Sequence, residues 1–246
     1  MNETHEECIE IAEEVLALIK DSFQPQHHFI RVDDKNFEDV DPEFYNQQQT
    51  RFEELGFEFI CDLEDKTISD QGKIVTFIRT MRNPASNAMV AFYHVPIIDA
   101  GFFEFESFLS DGRFVVSTIV PESNKIANWP SINSHHYPID IGEDVLYKNH
   151  LSSVKEACDG NINAIEITSF EAVVKLLNAQ NRYMHKYLKS IGWVTKEYLL
   201  NQCSGDKQLT DRVYSVIQEM AKQPTNQMQS YRCQLRRSSP PTVTIH

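Results

Sequence analysis

Between residues 57 and 120 the chain breaks into short runs of alternating apolar and polar residues, joined by brief turn-forming stretches. Phe57, Phe59, Cys61 and Leu63 alternate with Glu58, Ile60, Asp62 and Glu64, a period of two with one mostly acidic face. Residues 73–82, 88–95, 102–109 and 113–120 repeat the pattern, separated by Asn83-Pro84, Ser86-Asn87 and Asp111-Gly112, the last a strong hairpin signal. Parallel strands need a crossover of a dozen or more residues, and these connections are shorter. The expectation is an antiparallel meander of about five strands over 57–120.

Helical signals flank the meander. Thr4 and Glu7 form a capping box before Cys8, Ile11, Val15, Leu18 and Ile19, predicting a helix over about 5–22 that ends before Pro25. His28–Val32 reads as a short strand. Asp41 caps a second helix with Pro42 at its first position, running to Leu55 and closed by Gly56. Asp70-Gln71-Gly72 reads as a turn. Residues 121–142 hold Pro121, Pro130 and Pro138 and read as irregular. Helices follow at about 143–157, 169–191, 195–203 and 207–222. This order gives an α+β chain: one domain over 1–222, sheet-rich in 1–142 and helical in 143–222, and a disordered basic tail at 223–246 rich in Gln, Ser, Pro and Thr.

Charge is distributed unevenly. Residues 1–70 carry 20 Asp and Glu against 5 Lys and Arg, residues 71–222 carry 16 against 15, and the tail adds Arg232, Arg236 and Arg237. A net −13 disfavours direct contact with nucleic acid or an anionic membrane and favours a basic partner. No apolar run reaches the roughly 18 residues of a membrane span, and no signal peptide is read at the N-terminus, so a cytoplasmic location is expected. Five scattered cysteines (Cys8, Cys61, Cys158, Cys203 and Cys233) fit a reducing compartment.

Catalytic signatures are weak. No C-x-x-C, H-E-x-x-H, G-x-S-x-G or glycine-rich phosphate loop occurs, so neither a metal nor a cofactor is expected. His27-His28 and His135-His136 are adjacent pairs, which in a strand point to opposite faces and chelate poorly. Cys61 alternates with Phe59 and Leu63, as a buried structural thiol would, and a couple with His94 is the less common reading. Glu104 and Glu106 lie two apart on one strand face, ~6–7 Å by strand rise, a spacing open to paired-carboxylate chemistry and equally to a hydrated face.

The segments Glu54-Leu55-Gly56-Phe57, Cys61-Asp62-Leu63-Glu64, Thr80-Met81-Arg82, Phe92-Tyr93-His94, Phe105-Glu106-Ser107-Phe108 and Ser110-Asp111-Gly112-Arg113 together resemble a loose family of uncharacterised bacterial cytosolic α+β proteins with a short antiparallel sheet. Some similar small acidic proteins are immunity partners of secreted polymorphic toxins. The resemblance covers about a quarter of the chain. It implies no catalytic residues. The acidic N-terminal segment and the missing catalytic motif, taken with the resemblance, give the expectation of a non-enzymatic cytosolic binding protein that neutralises a toxin domain by docking an acidic surface on a basic cleft. The residues expected to form that surface are Glu38, Asp39, Asp41, Glu43, Glu53, Glu54, Glu58, Asp62, Glu64 and Asp65. Two other functions stay open: a hydrolase using His94, His135 or His136 with Glu104 or Glu106, and a scaffold that self-associates through the helix at 169–191.

Overall fold

The alternating segments become the centre of a larger sheet. The computed structural model describes residues 5–37, 40–72, 77–95, 99–121 and 125–222. Seven strands lie in the order β1 to β7: β1 (Phe29–Arg31), β2 (Glu58–Asp65), β3 (Phe77–Asn83), β4 (Ala88–Val95), β5 (Ala100–Phe108), β6 (Phe114–Thr118) and β7 (Ile132–His136). Strands β1 to β6 pair antiparallel, and β7 joins β6 in parallel.

The sheet is therefore α+β and mixed, with two strands more than the expected five. The extra strands lie at its two ends. Strand β1 is the short strand read at His28–Val32, and its pairing with β2 attaches it to the meander. Strand β7 falls in the stretch read as irregular. Residues 119–131 supply the long connection that a parallel return needs, and the sequence Ile132-Asn133-Ser134-His135-His136 has no apolar alternation to betray it.

Helix α2 (Pro42–Glu54) starts where Asp41 Oδ1 accepts the backbone N–H groups of Glu43 (2.9 Å) and Phe44 (3.2 Å). It ends before Gly56, whose φ of 83° is the left-handed conformation a helix C-terminus uses. A seven-residue helix, α3 (Lys66–Gly72), replaces the turn expected at Asp70–Gly72. Its start is fixed by Asp65 Oδ1, which accepts from Thr67 N–H (3.0 Å) and Ile68 N–H (3.4 Å). The later helices are α4 (Glu143–Ala157), α5 (Phe170–Ser190), α6 (Lys196–Gln202) and α7 (Lys207–Ala221), close to their expected limits; α1 is His5–Ser22.

One sheet face carries Phe77, Met81, Val90, Phe92, Phe103 and Phe105, packed under Tyr45 and Phe52 of α2 and Leu146 and Tyr147 of α4. Phe52 alone meets Phe57, Phe92, Phe103 and Phe105 ring to ring, with centroids 5.2–6.0 Å apart. Gly101 of β5 sits where a Cβ would overlap the Phe44 ring.

The chain divides into two compact units. One holds the sheet, with described residues from 25 to 121 and 128–182. The other collects residues 5–24, 125–127 and 183–222. In the second unit α1 packs on α7, Lys20 lies over the Trp193 ring at 5.2 Å, and His185 Nδ1 bonds the Phe23 carbonyl at 2.8 Å. Thr4 and the tail at 223–246 lie outside the described residues. Among the described residues no helix is long and apolar enough to cross a membrane.

Candidate functional site

The expected acidic surface separates into buried and exposed members. Asp62, Glu64 and Asp65 are all buried, at 6–8% exposure. Asp62 takes a two-pronged bond from Arg79 on the neighbouring strand, Nε to Oδ1 at 2.7 Å and Nη2 to Oδ2 at 2.8 Å. Arg79 also reaches Asp34 Oδ2 and Gln49 Oε1, each at 3.1 Å, beneath the rings of Tyr45, Phe59 and Phe77. Burial pushes the Asp62 carboxyl up, against the downward pull of Arg79. Glu64 meets Lys66 Nζ at 3.2 Å, and Asp65 holds His27 Nδ1 at 2.5 Å besides capping α3. These three acids are internal fastenings, each bonded to a side chain of the same chain. The reason is the cation across the ladder: Arg79 stands opposite Asp62, a pairing that a single strand's alternation cannot reveal.

Asp41 is committed to its cap, and Glu58 is exposed but bonded to Arg82 Nη2 at 3.1 Å. Glu38 and Asp39 lie outside the described residues. Glu43, Glu53 and Glu54 remain exposed on α2. Glu43 and Glu54 are eleven residues apart, which at 3.6 residues per turn brings them to the same side of the helix. Glu43 accepts from Gln47 Nε2 (3.0 Å) and Glu53 from Gln49 Nε2 (2.7 Å), neutral amides that leave the negative charge uncompensated.

A bulge reshapes the start of β2. The pairing runs Phe59 to Met81 and Cys61 to Thr80, so Ile60 is an extra residue. The expected alternation is broken there: Phe59 moves off the face of Cys61 onto that of Met81 and Arg79, 49% exposed. Beside it opens a 620 Å³ cavity lined by Val32, Phe37, Phe59 and Cys61, with Arg31, Asp33 and Asp62 at its polar margin. Cys61 is buried, 3.2 Å from Thr80 Oγ1, and burial raises its thiol, as expected of a structural cysteine.

The opposite sheet face carries the glutamate pair. Glu104 stands between Ala91 and Thr118, and Glu106 between Met89 and Val116. Burial pushes Glu104 up to about 7, although the Thr118 hydroxyl donates to it. Glu106 is 3% exposed and is pushed up to about 8 by burial and then by the charge of Glu104. Its Oε2 is buried with no hydrogen-bond partner among the described residues. The Tyr93 phenol is raised by burial and by both glutamates.

Of the three candidate histidines, only His136 shares this face, in register with Thr118. Its backbone is about 10 Å from that of Glu104, two strand spacings. His136 Nδ1 donates to the Val120 carbonyl at 2.8 Å, and its Nε2 is buried with no partner among the described residues. His94 and His135 point to the other face; His94 meets Asp99 at 3.2 Å beside Phe44. Sequence inspection passed over His150, which bridges Ser107 Oγ (2.9 Å) and Ser117 Oγ (3.1 Å) in the core and is pushed down to about 3 by burial and the charge of His135. Among the described residues no group of three His, Cys, Asp or Glu side chains is placed to hold a metal ion.

In comparisons with known proteins, no family model, curated protein or solved structure matches the chain.

Proposed function

We propose that this chain is a binding protein of the immunity type, which neutralises a basic toxin domain by laying a carboxylate-bearing helix against it. The observation that carries this reading is the outward side of α2. Glu43, Glu53 and Glu54 project there among Asn46, Gln47 and Thr50, while Tyr45 and Phe52 fix the helix to the sheet from behind. A rigid helix of 13 residues presents these charges over ~20 Å with little conformational entropy left to lose. Such a field steers a cationic partner and discriminates against acidic ones. The surface is smaller than the ten-residue patch expected from sequence.

The test is co-expression with toxin domains encoded beside the gene. Rescue of growth by the native chain, lost in Glu43→Lys/Glu53→Lys/Glu54→Lys with folding intact, supports the reading. Rescue that survives the triple reversal refutes the surface, and rescue of no toxin refutes the function.

A second reading rests on Glu104, Glu106 and His136. Two carboxyls raised to about 7 and 8 are suited to proton transfer near neutral pH, and the His136 imidazole lies on the same face. A hydrolase built on them requires turnover that Glu104→Gln abolishes, and a panel of ester, glycoside and phosphoester substrates showing none refutes it.

A further inference from the structure

We infer that the open edge of β2 at Glu58–Cys61, with the cavity beside it, accepts an extended apolar and basic segment of the protein partner as an added strand. This deepens the binding reading above and rests on it.

The edge is open because β1 is short. Pairing between β1 and β2 covers only Phe29–Arg31 against Leu63–Asp65 and closes with Val32 N–H donating to the Asp62 carbonyl at 3.1 Å. Beyond that bond the chain turns away into the 3₁₀ turn Asp34–Asn36, where the Asp33 side chain caps the turn through the Lys35 N–H (3.0 Å). Strand β2 continues for four more residues, paired with β3 on one side and, among the described residues, with no strand on the other. Unpaired strand edges are sites for strand addition, in which backbone bonds supply affinity and alternate side chains supply selectivity.

Two features make this edge specific. The bulge at Ile60 turns Phe59 toward the cavity, and Phe59 is among the few large apolar side chains left half exposed. With Val32 and Phe37 it forms the apolar part of the 620 Å³ cavity, a seat where side chains of an added strand can rest.

The charge around the seat selects the occupant. Arg79 and Arg82 are already paired, the first with Asp62 and the second with Glu58 and Glu166, while Arg31 lies over the Phe170 ring and keeps its charge. Arg31 and the exposed Lys35 are outnumbered by Asp33, by Glu53, whose partner Gln49 also meets Arg79, and by Glu54 beside it. A strand alternating apolar residues with lysine or arginine complements both the seat and the rim.

The probe is a synthetic peptide of about ten residues alternating valine and lysine, enough to span the edge at 3.3 Å per residue. It is compared with a valine–glutamate peptide and with a valine–lysine peptide broken by a central proline. Fluorescence anisotropy measures binding to the full chain, and amide hydrogen exchange locates it. The expected result is binding by the valine–lysine peptide alone, with exchange slowed at least tenfold across Glu58–Asp62. Affinity should fall at least tenfold in Phe59→Asp and in the milder Phe59→Ser, and be unchanged in Val145→Asp, an exposed apolar position on α4. Protection elsewhere, no protection at β2, or binding by both Phe59 variants as tight as by the native chain overturns the inference. Concentration-dependent self-association of the native chain that Phe59→Ser abolishes also overturns it, since the edge then pairs with a second copy. The Glu43→Lys/Glu53→Lys/Glu54→Lys chain separates this inference from the reading beneath it. Toxin rescue lost in the triple variant and kept in both Phe59 variants refutes the edge alone; rescue lost in the Phe59 variants and kept in the triple variant refutes the α2 surface alone.

Discussion

Replacing Glu106 by Gln isolates the energetic consequence of a carboxyl buried beside a second carboxyl. Glu106 is 3% exposed, its ordinary carboxyl value is 4.5, and in the fold it is raised to about 8. A folded-state value above the unfolded one means that the folded chain holds the proton longer. The associated stability is fully present below pH 4.5 and is lost as the pH climbs through 8. Each pH unit in that window removes about 1.4 kcal/mol, and the whole gap amounts to on the order of 5 kcal/mol. Gln has the shape of the protonated acid and does not ionise. Urea unfolding from pH 5 to 9, followed by the exchange of β5 and β6 amides, should show native stability falling steadily. Glu106→Gln should match the native chain near pH 5 and exceed it by several kcal/mol at pH 9. Residual slope in the variant includes that of Glu104, raised to about 7, and below pH 6.5 the opposing one of His150. Parallel profiles for the two chains would refute the claim that Glu106 is neutral in the fold at neutral pH.

Arg79→Met should destabilise by about 3–5 kcal/mol, because Asp62 is left charged and buried without its partner; Arg79→Met with Asp62→Leu should recover most of the loss in the same denaturation assay. His150, held down to about 3 against an ordinary 6.5, contributes stability that is present above pH 6.5 and lost as the pH falls toward 3. Its imidazole signal in a ¹H–¹⁵N NMR titration should stay in the neutral form down to pH 4, and protonation near pH 6 refutes the buried Ser107–His150–Ser117 bridge. Asp41→Ala should cost about 1 kcal/mol through the lost cap of α2, read as a lower urea midpoint with an unchanged slope.

Local signals were legible wherever one segment's chemistry suffices. The cap at Asp41-Pro42, the stop at Gly56, the hairpin at Asp111-Gly112 and the helices from 143 onward follow from backbone preferences that each residue carries with it. The alternation at 57–120 determined that a meander forms, since no other arrangement buries those faces with such short connections.

Tertiary structure decided what the charges and the edges do. Asp62, Glu64 and Asp65 look like solvated acids in the sequence, and each is buried because another residue reaches it: Arg79 from the next strand, Lys66 from α3, His27 from 38 residues earlier in the chain. A charge enters a core only with a partner, and the partner's position is set by strand register, which composition does not encode. The same register separates His94 and His135 from Glu104 while bringing His136 to its face, and one extra residue at Ile60 turns Phe59 outward. Sequence determined which segments are strands and helices; long-range pairing determined which side chains are left for a partner.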